Sequence, residues 1–126
     1  MIVDSNLIIL AARKEHEFLL DWLESGDHRI SAISYVEIFG YHQMSPEEQE
    51  ALEVIFINLP VVQISNAILD RAVEQRRRKR MGLGDCLVAA TALELNVDLA
   101  TANTRDFKNI PGLRIFNPIQ PHTGDE

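Results

Sequence analysis

The chain has 126 residues, which is enough for one domain with a hydrophobic core and too few for two. Its net charge of −7 argues at first against a nucleic-acid partner, and no apolar run approaches the roughly 20 residues that span a bilayer. A single cysteine excludes an internal disulfide, and the first residues lack the basic flank of a signal peptide. We therefore expect a cytoplasmic protein without a membrane segment.

The first segment predicts a short buried strand that leads directly into a helix. Residues 1–3 are apolar, residues 4–6 predict a turn, and the apolar residues 7–12 begin the helix. Asp4 then lies at the carboxyl end of the first strand. A second, amphipathic helix is predicted over residues 15–25. The apolar face of this helix consists of Phe18, Leu19, Trp22 and Leu23.

The next segment predicts a second strand at residues 28–33 and a helix that carries one charge, Glu37. Glu37 has apolar neighbours on both sides, so we expect it to be shielded from solvent. Two interpretations remain open. Ser34 and Glu37 have the spacing of a capping box, in which Glu37 would bond back to the backbone N–H of Ser34. Glu37 is equally a candidate metal ligand.

The remaining segments continue the alternation of strands and helices. Ser45 predicts a capping box and a helix to about Ile57, and Ser65 predicts the cap of a long helix. The apolar face of that long helix consists of Ile68, Leu69, Ala72 and Val73. Three further strands are predicted at residues 60–64, 97–101 and 113–116, with a turn or short helix at 103–107.

Five of the twelve basic residues form one consecutive basic block that ends the long helix. Its members are Arg76, Arg77, Arg78, Lys79 and Arg80. Positive charge in a last helical turn is favoured by the helix dipole. One explanation of the block is therefore that it stabilises the end of its own helix. Contact with phosphate groups is the competing explanation, and it makes the five side chains candidate RNA contacts.

The segment that follows organises the chain. Residues 86–93 carry no charge, so a helix built from them is apolar on every face and must be buried. Cys86 is expected to pack there as a small hydrophobe. Asp85 lies at the beginning of this helix, where the dipole favours an anion. It is either a helix cap or a carboxylate held rigidly at the edge of the core, where a metal ligand is useful.

The order of elements predicts an α/β fold with a parallel sheet covered by helices on both faces. Ligands in such folds bind outside the carboxyl ends of the strands, where Asp4, Glu37 and Asn103 fall. Asp85 reaches the same edge if its helix runs antiparallel to the sheet. Carboxylates gathered in this way repel one another unless a cation lies between them, and oxygen ligands favour Mg²⁺ or Mn²⁺. Such a site suits hydrolysis of a nucleic-acid backbone.

Four ordered blocks at residues 1–6, 34–37, 83–93 and 101–107, with the ending 111–118, resemble a PIN domain of the VapC type. The resemblance implies a three-layer α/β/α sandwich with about five short parallel strands over residues 1–118, and residues 119–126 as a disordered tail. It implies a Mg²⁺- or Mn²⁺-dependent endoribonuclease, usually the toxin of a type II toxin–antitoxin pair. It also implies a homodimer and a small VapB-like antitoxin that itself binds DNA.

In this resemblance Asp4, Glu37 and Asp85 match the three acidic metal-site positions. Asn103 falls at the fourth position, which is often Asp, and this departure weakens the case for a second metal. The residues expected to support the site are Ser5, Thr101 and Asp106.

Two other enzyme classes with acids at a sheet edge fit poorly. A haloacid-dehalogenase-type phosphatase requires Asp-x-Asp after the first strand, whereas Asn6 occupies the second position. A receiver domain requires an acidic pair there and a lysine after a late strand, and neither is present. Two alternatives within the resemblance stay open: a catalytically silent module that binds RNA or protein, and a housekeeping RNA-processing nuclease.

Overall fold

Five two-residue strands alternate with seven helices in the computed structural model, which describes residues 1–13 and 16–119. The strands are β1 (Ile2–Val3), β2 (Ile30–Ser31), β3 (Val61–Val62), β4 (Leu99–Ala100) and β5 (Ile115–Phe116). The helices are α1 (Ser5–Ala11), α2 (Glu17–Glu24), α3 (Ala32–Phe39), α4 (Pro46–Ile57), α5 (Asn66–Arg78), α6 (Leu83–Leu95) and α7 (Thr104–Phe107). The predicted disordered tail lies outside the described residues, apart from Ile119. No helix in the described part is long and apolar enough to cross a membrane.

All strand pairs are parallel. β1 pairs with β4, and β4 pairs with β5 on its other side. β2 pairs with β3, and a single bridge between Ile2 and Arg29 joins this pair to β1. The strands therefore follow the order β3-β2-β1-β4-β5. Parallel neighbours place the carboxyl ends of β1 and β4 side by side, and the residue after each strand faces the same edge.

Helices cover both faces of the sheet because successive residues of a strand point in opposite directions. Val3 and Ala100 belong to one buried cluster, with side chains from α1, α3 and α4. Ile2 and Leu99 belong to a second cluster, with side chains from α6 and α7. The expected three-layer α/β/α sandwich is confirmed.

Helix α6 is the buried helix that its uncharged sequence predicts. The side chains from Cys86 to Ala92 are all buried, and the helix ends at Asn96, whose φ of 55° is the left-handed conformation of a helix stop. Cys86 packs in a cluster with the inner face of α5 and donates to the carbonyl oxygen of Leu83 at 3.1 Å. Burial raises the pKa of its thiol, in agreement with a packed rather than a reactive cysteine.

The predicted beginning of α3 is wrong by three residues. Strand β2 ends at Ser31, and the hydroxyl of Ser31 accepts a hydrogen bond from the backbone N–H of Ile33 at 3.3 Å. Ser31 is therefore the cap of α3. Ser34 lies inside the helix and is fully buried, so it cannot form the expected capping box with Glu37. The other capping box, between Ser45 and Glu48, is confirmed, as is the Ser65 cap of α5.

The predicted apolar faces of α2 and α5 are only partly buried. Leu19 is buried, but Phe18 remains half exposed. On α5 the side chains of Ile68 and Ala72 are buried, whereas those of Leu69 and Val73 are 46% and 47% exposed. An outer helix presents only a narrow strip to the layer below it, so residues at the margin of an apolar face stay in contact with solvent.

Candidate active site

Asp4 follows β1 directly and is buried, with only 4% of its surface exposed. It precedes α1, but its side chain does not cap that helix. The carboxylate accepts a hydrogen bond from the Thr101 hydroxyl at 2.7 Å and another from the backbone N–H of Ser5. Burial raises the pKa of Asp4, these two bonds lower it in part, and the charge of Asp106 raises it.

Asp85 is the third residue of α6, and Gly82 occupies the N-cap position. The helix-cap interpretation of Asp85 is therefore wrong. Its carboxylate stands in the first turn, where free backbone N–H groups and the helix dipole favour an anion. Partial burial nevertheless raises its pKa, and the charges of Asp4 and Asp106 raise it further.

Glu37 is the sixth residue of α3, and its side chain is exposed, so the expectation that apolar neighbours shield it is wrong. The outer side of α3 faces solvent, as the exposed Tyr35 and Val36 show. The carboxylate nevertheless lies close to the beginning of α6, since a Cβ atom added to Gly84 would be 3.1 Å from the Cδ atom of Glu37. Partial burial raises the pKa of Glu37, as do the charges of Asp4 and Asp85, while a hydrogen bond from Ser5 lowers it.

Asn103 belongs to a chain of hydrogen bonds that ends at Asp4. Its backbone N–H donates to the Thr101 hydroxyl at 2.9 Å, and the same hydroxyl donates to Asp4. The side-chain amide of Asn103 donates to the carboxylate of Asp106 at 2.6 Å. Because its nitrogen is engaged with Asp106, Asn103 has its amide oxygen left for a ligand.

The structure thus brings all the predicted site residues to one edge of the sheet, in positions where the charges of the acids influence one another. Among residues 1–13 and 16–119, however, no three acidic, histidine or cysteine side chains are gathered closely enough to enclose a metal ion. The chemistry of the set still fits a hard divalent ion, since every candidate donor is an oxygen and three carboxyl groups have raised pKa values.

The basic block divides into two parts around a pocket of about 400 Å³ next to Asp85. Arg76, Lys79 and Arg80 line this pocket, whereas Arg77 and Arg78 are not part of its lining. Arg105 and Asp106 of α7 also line this pocket, which we name the arginine pocket. Arg105 was missed by sequence reasoning because it lies outside the block; the available signal was its place beside Asp106 in a site motif.

Lys79 has a structural role within this pocket. Its ammonium group donates to the carbonyl oxygens of Asp106, at 3.0 Å, and Lys108, at 3.1 Å. These carbonyls lie at the end of α7, where a cation is favoured by the helix dipole. Lys79 therefore fastens the end of α5 to the turn that carries Asn103 and Asp106.

Three short parallel strand pairs with acids at their carboxyl edge place the chain among α/β proteins with a site at the edge of a parallel sheet. Residues 1–113 match the PIN domain family. The chain belongs to this family, and the resemblance that the sequence blocks carry is confirmed.

Two relatives and two solved structures show what the chain is similar to. Ribonuclease VapC10 of Mycobacterium tuberculosis is 30% identical over 115 residues, which cover 85% of each chain. Ribonuclease VapC of Rickettsia bellii is 27% identical and covers 92% of this chain and 94% of its own. A toxin–antitoxin complex from Klebsiella pneumoniae aligns with a TM-score of 0.75 at 26% identity, covering 95% of this chain and 98% of its own. VapBC2 of Rickettsia felis, bound to a promoter DNA fragment, shares the fold with a TM-score of 0.77 at 22% identity, over 92% and 96%.

Proposed function

We propose that this chain is a divalent-metal-dependent endoribonuclease and the toxin of a type II toxin–antitoxin pair. The observation that carries the proposal is the convergence of Asp4, Glu37 and Asp85, from three separate elements, on one sheet edge. Each of the three has a raised pKa, and in each case another carboxylate of the site contributes to the increase. Such mutual repulsion is costly unless a cation relieves it.

In this proposal the three carboxylates and the amide oxygen of Asn103 hold one Mg²⁺ or Mn²⁺ ion. When bound, the ion supplies a polarised water and stabilises negative charge on the phosphodiester. The chain supplies the position of the ligands. Thr101 donates its one hydroxyl proton to Asp4 and accepts the N–H of Asn103, which fixes the direction of the Asp4 carboxylate. The Ser5 side chain forms a hydrogen bond with Glu37, which fixes the direction of the Glu37 carboxylate in the same way.

The partners follow from the relatives. One similar structure is described as a toxin–antitoxin complex and two others as VapBC bound to DNA, which supports a small VapB-like antitoxin that binds DNA. We also infer a homodimer, since apolar side chains on α3 and α5 are left exposed, among them Val36 and Val73. A cytoplasmic location agrees with an RNA substrate.

One observation favours a second candidate, a PIN domain that binds RNA or protein without turnover. Among the described residues, no three acidic, histidine or cysteine side chains form a group that could hold a metal ion. Metal binding therefore separates the two candidates.

The test is cleavage of a labelled structured RNA in Mg²⁺ or Mn²⁺, compared with EDTA and with Asp85→Asn. We expect Asp85→Asn to lose at least about 100-fold in rate, because a metal ligand is removed without loss of core packing. Asp70→Asn, an exposed acid on α5, is the matched control and should cleave normally. Calorimetric titration with Mn²⁺ should give binding that Asp85→Asn weakens.

Cleavage that survives both EDTA and Asp85→Asn would contradict the proposed mechanism. The absence of both cleavage and Mn²⁺ binding would support the silent binding module.

A further inference from the structure

The end of α5 and the beginning of α6 present opposite charges to the same pocket. Arg76, Arg80 and Arg105 line the arginine pocket together with Asp85, which also belongs to the carboxylate site. With Lys79 and Asp106 included, four cationic groups and two carboxylates line the pocket, a formal excess of two positive charges. The chain as a whole carries −7, so this is a local reversal of charge.

The three guanidinium groups of the pocket are not used by the fold. Within residues 1–13 and 16–119, the guanidinium groups of Arg76, Arg80 and Arg105 form neither a hydrogen bond nor an ion pair. Three other arginines are paired with carboxylates at 2.6 to 3.0 Å. These are Arg13 with Glu48, Arg71 with Glu94, and Arg114 with Asp98. Unpaired guanidinium groups that converge on one cavity suit an anion with several acceptor oxygens, as phosphate has.

Lys79 keeps the walls of the pocket in place. Because its ammonium group bonds to two carbonyl oxygens of the α7 turn, it holds the turn that carries Arg105 against the end of α5. Two of its three donors are committed to the protein, so it contributes charge to the pocket and at most one donor to a ligand. The block of five basic residues thus consists of two pocket arginines, one fastening lysine and two arginines outside the pocket.

We propose that the arginine pocket binds a backbone phosphate of the RNA strand, next to the phosphodiester that the carboxylate site cleaves. The inference rests on the proposed function and assigns it a substrate subsite formed by Arg76, Arg80 and Arg105. Asp85 is a wall of this pocket and a candidate ligand of the site, so a phosphate held here places its neighbour at the metal ligands. The subsite recognises the backbone and therefore does not read base sequence.

The test compares two double variants that remove the same charge from the same segment. Arg76→Ala/Arg80→Ala removes two arginines from the pocket, and Arg77→Ala/Arg78→Ala is the matched control. Binding of a short single-stranded RNA is measured by fluorescence anisotropy in EDTA, where cleavage is suppressed, at several salt concentrations. The pocket variant should raise Kd at least about tenfold and reduce the salt slope by about 1.4, from about 0.7 for each lost contact. The control should change Kd less than about twofold.

Cleavage in Mn²⁺ provides the second readout. The pocket variant and the single variant Arg105→Ala should raise KM with kcat within about threefold of the parent, because they remove substrate binding and leave the carboxylates intact. Arg105→Lys, which keeps the charge but not the paired donors, should recover only part of the affinity.

The outcomes separate the two proposals. Equal losses in the pocket variant and the control would overturn the subsite and leave only diffuse attraction between the block and RNA. Unchanged binding in both would overturn it as well. A parent protein that cleaves RNA with EDTA sensitivity in either of these cases keeps its proposed function, whereas a parent that neither binds nor cleaves RNA loses it.

Discussion

Helices α5 and α6 are consecutive, have 13 residues each and pack against each other, but they differ in burial and in charge. In α6 seven side chains are buried, and its two charges stand near its ends, Asp85 in the first turn and Glu94 in the last. In α5 three side chains are buried, and six of its residues are charged. The middle of α6 therefore carries stability, and α5 covers one side of it.

The two helices meet functionally at their ends. A helix C-terminus favours cations and a helix N-terminus favours anions, so arginines at the end of α5 and Asp85 at the beginning of α6 each suit their place. The short connection between the helices brings these opposite charges to one pocket. The fold therefore divides its tasks in two ways: the middles of the two helices differ in burial, and the adjoining ends of both supply charge to the site.

The largest expected effect contrasts the middles of the two helices. Val88 of α6 is fully buried, and Val73 of α5 is 47% exposed. Val88→Ala should lower the free energy of unfolding by about 2 kcal/mol, since it leaves a cavity beneath the sheet. Val73→Ala should stay within about 0.5 kcal/mol of the parent. Urea denaturation followed by circular dichroism measures both, and similar losses would contradict the division of tasks.

The next effect tests the beginning of α6. Gly84→Ala places a methyl group where the Glu37 carboxylate lies, and this flexible side chain must move away. Cleavage should fall at least about tenfold, or about 1.4 kcal/mol of activation free energy, while stability is retained or increased. Asp70→Asn, an exposed acid on α5 outside the site, is the control. If both variants cleave at the parent rate, Glu37 does not need its observed position.

The smallest effect concerns pH, measured in EDTA. The folded pKa of Asp85 is raised above its ordinary 3.8, so its stabilising contribution is present at low pH and lost as pH rises through the folded value. From about pH 4 to about pH 7, the free energy of unfolding of Asp85→Asn should therefore rise relative to that of the parent. The change should be small, because Asp85 is partly solvated and its interactions are screened.

Glu48 provides a control of opposite sign. A bond from the Ser45 backbone and the neighbouring Arg13 lower its pKa, so its contribution is present at neutral pH and lost as pH falls. Glu48→Gln should lose stability relative to the parent as pH rises over the same range. Denaturation midpoints of the three proteins at several pH values test both signs, and a common trend for the two variants would contradict the assignment.

Much of the fold can be predicted from the sequence because local residue patterns mark the helices and their ends. The uncharged run after Asp85 predicts a buried helix, and this prediction is confirmed. The three serines that precede helices illustrate the limit. Ser45 and Ser65 are caps as expected, whereas Ser34 is not, because Ser31 ends the strand earlier and takes that place. Two serines three residues apart offer the same local chemistry, and only the pairing of β2 with β3 decides between them.

The candidate site, like the fold, was predictable from the sequence only in part. The order of strands predicts that Asp4, Glu37 and Asn103 share an edge, and Asp85 joins them on the further condition that its helix runs antiparallel to the sheet. The exposure of Glu37 was not predictable, since it depends on which side of α3 the rest of the molecule leaves open. The separation of Arg76 and Arg80 from Arg77 and Arg78 also required the position of α7, which no local pattern contains.

The contact between Lys79 and the α7 turn bears on the order in which parts of the chain fold. It joins residues 27 and 29 positions apart, with α6 and β4 between them, so its formation carries the entropy cost of closing a long loop. A four-residue helix has too few internal bonds to persist alone, which makes α7 dependent on this contact and on the burial of Phe107. We therefore expect the turn that completes the site to be among the last parts of the chain to acquire its native geometry.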